Sequence, residues 1–269
     1  MFKNILILFT SFMFLQSCQK NSITGRQQLI LVPESELQVM ALQQYNAFLT
    51  ENKVVPPSDN NAEMVKRVGS RIASAITNFY SKQGKSELLN GYKWEFNLVD
   101  DKAVNAWCMP GGKVVVYTGL LPVAQNEAAL AVVMGHEIAH ALGQHGNERM
   151  SQGLVQQLGG VALSVAVSSQ PAETQNLFLQ AYGIGTTVGA ILPFSRKQEL
   201  EADRYGLIFS SMAGYNPQAA IGFWQRMAQA GGGNQPPEFL STHPSDETRI
   251  KKVKEYVKEA EKYYKNPSR

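Results

Sequence analysis

Cysteine is nearly absent. The 269 residues hold only Cys18 and Cys108, so at most one bridge can form, which excludes a disulfide-stapled scaffold and a zinc site built of several thiolates. A dominant charge is missing too: 25 basic and 22 acidic residues leave +3, and the basic residues lie among acidic ones, so no field strong enough to hold nucleic acid arises. Charged residues make up 17% and apolar ones 44%, too much apolar content for disorder and too little charge for a tail. The length suits one large domain or two small ones at about 100 to 200 residues each, and no internal repeat divides it. Histidine is scarce, with four in the chain.

The amino terminus reads as an address. Lys3 precedes the apolar run Ile5 to Leu15, which ends at Gln16-Ser17-Cys18. A run of about eleven residues is a signal-peptide core, whereas a spanning helix needs about twenty. Leu15-Gln16-Ser17-Cys18 resembles a bacterial lipobox, which implies a lipoprotein signal peptide over 1–17 and a lipid on Cys18 that ties the chain to a membrane through acyl chains. Gln19 resembles an outer-membrane sorting signal, so the expected place is the bacterial cell envelope, on the periplasmic face of the outer membrane. Residues 18–33 read as the lipidated end and a tether, and 34–269 as one domain.

Glu34 to Asn52 carries Leu37, Met40, Ala41, Tyr45, Phe48 and Leu49 at helical spacing, with acids in the first turn. Ala62 to Tyr80 repeats the pattern. Tyr92 to Val99 alternates as a strand does, Lys113 to Thr118 is a β-branched run after Pro110-Gly111-Gly112, and Ala103 to Met109 between them completes a small sheet. Asn126 opens a helical pattern that runs to Gly143. Met150 to Ala172 and Thr174 to Ser195 carry no charged residue, which permits a transmembrane hairpin by length. Gln152, Gln156, Gln157, Gln170, Gln175, Asn176 and Gln180 argue instead for buried or surface helices, because each is costly in hydrocarbon. Phe194 to Met212 and Pro217 to Ala230 read as helices, Gly231 to Pro237 as a break, and Ser245 to about Tyr264 as a charged amphipathic helix with a solvated outer face.

His136-Glu137-Ile138-Ala139-His140 lies inside the long helix. Residues four apart are offset by about 40° and sit about 6 Å apart, so both imidazoles can grip one ion with Glu137 beside it. A catalytic zinc takes three protein ligands and keeps a fourth position open. His145, nine residues after His136, is half a turn out of phase and lies between the helix-ending Gly143 and Gly146, so it is set aside as a ligand and reads as a cation near a helix C-terminus. No further histidine follows at metzincin spacing, so the third ligand is sought on a second helix, in Glu199 or Glu201. Glu199 and Asp203 share a helical face, so Glu199 suits the metal and Asp203 the outer N–H of a ligand histidine, while Glu201 faces elsewhere. The expected fold is α+β: a mostly helical gluzincin-type metallopeptidase domain with a small β-sheet packed beside the HExxH helix.

From Glu34 to about Arg249 the chain resembles the HtpX and CAAX-prenyl-protease family of zinc metallopeptidases, in its soluble BepA-type periplasmic lipoprotein branch. The resemblance rests on Thr24-Gly25-Arg26, Asn105 to Gly112, the HEIAH core, Ser195-Arg196 with Glu199, Ala202 and Asp203, and Thr242-His243-Pro244 followed by Arg249. It implies one zinc held by His136, His140 and Glu199. It implies also that His243 approaches the cleft, as an oxyanion donor or a removable fourth ligand, and that Asn105, Trp107 and Cys108 belong to a substrate-binding edge strand. Cys108 itself reads as a packed thiol.

The implied reaction is peptide-bond hydrolysis with Glu137 as general base. Its partners would be unfolded or misassembled envelope proteins. A chaperone-like or assembly factor of the envelope with a mainly structural zinc core is the competing reading, and a general base beside an open coordination position speaks against it. A multispanning membrane protease is a third.

Overall fold

The protein is described here by a computed structural model over residues 18–158, 172–184, 194–231, 237–244 and 247–264. Its first elements are a hairpin of β1 (Cys18–Lys20) and β2 (Gln27–Leu29), then α1 (Glu34–Glu51) and α2 (Asn60–Lys82). The Asp59 side chain caps α2 by accepting from the N–H groups of Asn61 and Ala62. Val65, Val68, Ile72, Ile76 and Tyr80 form its buried stripe, the helical period that the sequence shows.

β3 (Glu95–Val99), β4 (Ala106–Met109) and β5 (Lys113–Tyr117) make a sheet in the order β3-β5-β4, with β3 parallel and β4 antiparallel to β5. Side chains alternate across a strand, and here both faces are covered. Val114, Val116, Leu98, Ala106 and Cys108 enter one core. Val115, Tyr117, Val99, Trp107 and Met109 enter the other, against Leu37, Met40 and Tyr45 of α1. The sheet is thus the wall between two cores, which is why β4 and β5 are buried along their whole length.

The first core also holds α3 (Glu127–Leu142), capped by Asn126 and buried on every side from Ala129 onward. α4 (His145–Leu158) and α5 (Ala172–Ala181) follow. α6 (Arg196–Met212) begins in a capping box in which Ser195 and Gln198 bond each other's backbone N–H groups. α3 and α6 cross backbone to backbone: a Cβ on Gly135 would lie 2.6 Å from the Gly206 carbonyl oxygen, and one on Gly206 2.6 Å from the His136 nitrogen. Only glycine allows this approach, and it brings the two helices' functional faces together.

α7 (Ala219–Gly231), a short α8 (Glu238–Thr242) and α9 (Glu247–Ala260) complete the fold. α9 is not merely an outer layer. Arg249, Val253, Val257 and Ala260 are buried at helical spacing, so its inner face joins the core and carries a guanidinium into it. Residues 18–29, expected as a tether, are docked: Asn21 Nδ2 donates to the Leu142 carbonyl at 3.3 Å and Gln28 Nε2 to that of Gly143 at 2.7 Å. Among the described residues no helix is long and apolar enough to cross a membrane. Within the uncharged stretches at 150–172 and 174–195, residues 159–171 and 185–193 lie outside the described residues.

Candidate metal centre

The HExxH turn is presented by α3, and the crossing at Gly135 and Gly206 sets α6 against it. His136 Nε2 and His140 Nε2 converge to 3.0 Å. Glu199 Oε1 reaches His140 Nε2 at 3.3 Å, and Glu199 Oε2 reaches His136 Nε2 at 3.6 Å. His243 at the C-terminal end of α8 closes the group, with Nδ1 2.9 Å from Glu199 Oε1 and 3.2 Å from His136 Nε2. One donor atom from each of the four residues lies within 4.8 Å of the others, and all four residues are buried.

This donor set fits zinc. Ligands about 2.05 Å from a tetrahedral centre stand about 3.3 Å from one another, and the five separations above run from 2.9 to 3.6 Å within a group whose donor atoms all lie within 4.8 Å. The surroundings of the rings leave their inner nitrogens free to bind. His136 Nδ1 lies 2.9 Å from Asp203 Oδ1, although its N–H is poorly aligned for a hydrogen bond. His140 Nδ1 lies 2.9 Å from His145 Nδ1. With the outer nitrogens carrying the protons, two Nε2 lone pairs face each other, and two lone pairs at 3.0 Å repel unless a cation lies between them.

Electrostatics supports the same assignment. Burial alone would raise Glu199, but Arg249, His243 and His140 hold its carboxyl well below the ordinary carboxylate range. Burial likewise opposes ionisation of Asp203, and Arg249 overcomes it. Burial pushes His140 well below its usual value and His243 down to about 4, so both are neutral, as ligands must be. Burial, followed by the Glu199 charge, pushes Glu137 well up. Its Oε1 has no hydrogen-bond partner and lies 3.5 Å from His243 Nε2, a buried oxygen left without a bond beside the four donors.

Arg249, which the sequence reading quoted for the resemblance but gave no role, belongs to this cluster. Its Nη1 lies 2.6 Å from Glu199 Oε2, and Nε and Nη2 bind the two Asp203 oxygens at 2.7 and 2.9 Å. The guanidinium stands 3.9 Å above the Trp224 ring. The signal was its register with Val253, Val257 and Ala260.

His145 needs correction. It is no exposed cation at a helix end: it is fully buried, starts α4, and faces both His140 and Glu201. The phase argument assumed one continuous helix. Gln144 instead takes a left-handed φ of 54°, which folds α4 back. A Cβ on Gly143 would lie 2.7 Å from His145 Nε2, so that glycine makes room for the ring.

β4 has β5 on one side and, among the described residues, no strand on the other. Trp107 packs against Tyr45 and Phe48, and burial raises the Cys108 thiol well above its usual range. What the strand offers is therefore backbone rather than side chains. Its approach is already occupied: Phe239 N–H donates to the Val104 carbonyl at 3.0 Å, and Asn105 Nδ2 to Glu238 Oε1 at 3.1 Å. The segment that carries His243 sits against the beginning of this strand.

Residues 60–257 match peptidase family M48. The mitochondrial metalloendopeptidase OMA1 of Schizosaccharomyces pombe is 34% identical over 225 residues, 82% of this chain and 61% of that protein. Human mitochondrial metalloendopeptidase OMA1 is 29% identical over 267 residues, 94% of this chain and 48% of its own. The β-barrel assembly-enhancing protease of Escherichia coli is 34% identical over 167 residues, covering 58% of this chain and 33% of that protein. The chain thus spans 61% or less of the length of these relatives.

Those alignments overturn the bacterial cell-envelope location and the periplasmic, outer-membrane lipoprotein branch. The mitochondrial relatives align over as much as 95% of the chain, against 58% for the bacterial protease. The expected location came from an amino-terminal pattern of eighteen residues, whereas the alignments draw on the whole domain.

Proposed function

The chain belongs to peptidase family M48, and from that premise we propose that it is a zinc-dependent endopeptidase acting on unfolded or misassembled proteins. His136, His140 and Glu199 hold the metal, and His243 stands at the fourth position. The observation that carries this reading is the convergence of those four donors on one buried point beside the unpartnered Glu137 oxygen.

Zinc, when bound, polarises the scissile carbonyl and acidifies water, so that a nucleophile is available near neutral pH. The chain supplies the rest. Glu137 Oε1 accepts the proton that water loses as its oxygen bonds to the carbonyl carbon, and returns it to the amide nitrogen as the C–N bond breaks. His243, whose Nε2 faces Glu137, can donate to the oxygen on which negative charge develops once its ring has turned from Glu199. Arg249 keeps Glu199 ionised and Asp203 turned toward His136. β4, which has no strand on its outer side among the described residues, suits an extended peptide held by backbone hydrogen bonds once the α8 segment is drawn back from its start, which supports broad sequence tolerance.

Digestion of an unfolded protein such as casein by the wild type and by Glu137→Gln tests the reading. Cleavage by the first and none by the second, with equal zinc in both, is the expected result. Equal cleavage by both, or none by a zinc-loaded wild type, contradicts it.

A further inference from the structure

His140 has an outer partner that the reaction as described does not use. Its Nδ1 lies 2.9 Å from Nδ1 of His145, and Nε2 of His145 lies 3.1 Å from Glu201 Oε2. Glu201 in turn accepts from Arg26 Nε at 2.8 and 2.9 Å. The remaining guanidinium nitrogens of Arg26 bind both oxygens of Glu148 at 2.6 Å. Gln198 Nε2 adds a bond to Glu148 at 2.8 Å. His145 is fully buried, and the Arg26 and Glu201 side chains are only 11% and 17% exposed.

The proton directions of this chain are fixed from its outer end. Arg26 only donates, so Glu201 is a carboxylate that accepts. The facing nitrogen of His145, Nε2, must therefore carry a proton. A hydrogen bond between the two Nδ1 atoms, 2.9 Å apart, needs one acceptor, and with its proton on Nε2 the His145 ring offers its Nδ1 lone pair. His140 Nδ1 must then carry its proton outward, which leaves the Nε2 lone pair pointing at the metal position. A ligand histidine whose other nitrogen is held by a hydrogen bond is fixed in tautomer and ring angle before the metal arrives.

We propose that His145, Glu201 and Arg26 form the orienting chain of His140, so that the amino-terminal hairpin sets the affinity of the centre for zinc. Arg26 lies in the turn between β1 and β2, and the docking bonds of Asn21 and Gln28 to the end of α3 hold that turn in place. A segment distant in sequence thereby reaches the metal through three side chains. His145 is a positioning residue and touches no substrate. The proposal rests on the reading of His140 as a zinc ligand.

The full chain is titrated with zinc against a chromophoric chelator, and the visible absorption of the cobalt-substituted protein is recorded. His145→Ala is expected to weaken zinc binding about 10- to 100-fold and to change the cobalt spectrum, with Glu201→Ala and Arg26→Ala following in the same direction. Because Glu201 acts through His145, the double variant should lose no more affinity than His145→Ala alone. A purely structural role would leave the cobalt spectrum unchanged and make the losses multiply. Zinc binding within twofold of wild type in a folded His145→Ala, or multiplying losses, overturns the proposal. Should His145→Ala fail to fold, Glu201→Ala and Arg26→Ala decide, and wild-type affinity and spectrum in both overturn it. Loss of zinc in Glu199→Ala alongside unaffected His145 and Glu201 variants removes this inference and leaves the metal site standing. A wild type that takes up no zinc removes both.

Discussion

The two histidines of one helical turn are backed in different ways. Behind His136 stand Asp203 and Arg249, both at most 3% exposed, with Trp224 over the guanidinium. Behind His140 stand His145, Glu201 and Arg26, a chain that ends at a hairpin on the surface side. The first is short and fully charged, with one guanidinium shared between Glu199 and Asp203. The second is longer and passes through a neutral ring. The difference teaches that a symmetric motif does not imply a symmetric site: the deep side provides the fixed charge, and the hairpin side provides a connection to the chain's start.

The largest effect falls on neither side. Glu137→Gln should leave both halves and the bound zinc intact while lowering cleavage of a fluorescent casein by about 10²- to 10⁴-fold. The deep side comes next. Arg249→Ala leaves two buried carboxylates without their cation and should cost about 3 to 5 kcal/mol in chemical denaturation, whereas Arg26→Ala, at the partly exposed end, should cost about 1 to 3 kcal/mol. Equal costs for the two would erase the contrast.

A control lies outside both sides. Burial raises Glu34, near Asn147 and Gln38, from its ordinary 4.5 to about 8. A carboxyl with a raised folded pKa favours folding most when protonated, so its contribution is complete below about pH 4.5 and is lost as pH rises toward 8. Glu34→Gln should therefore unfold at a higher temperature than wild type at pH 8 and at nearly the same temperature at pH 4 by calorimetry. A gain at pH 4 that vanishes at pH 8 would reverse the sign.

The deep side was largely legible in the sequence. HExxH after the Asn126 cap, and Glu199 four residues before Asp203, are fixed by helical spacing alone, and three scattered strands were readable from their β-branched and alternating runs. The hairpin side was not. Nothing local announces the left-handed Gln144, and without it His145 falls on the wrong face. The bonds from Arg26 to Glu201 and Glu148 join positions 175 and 122 apart, a distance that periodicity does not bridge. Arg249 lay between these cases: the charges of α9 suggested a solvated face, while its own spacing with Val253 and Val257 marked the buried one.

Zinc bound per chain, measured by elemental mass spectrometry on wild type, Glu137→Gln and Glu199→Ala purified alike, tests the central claim most directly. One zinc in each of the first two and none in the third is the predicted result. A full complement in Glu199→Ala, or none in the folded wild type, would contradict a centre built from His136, His140 and Glu199.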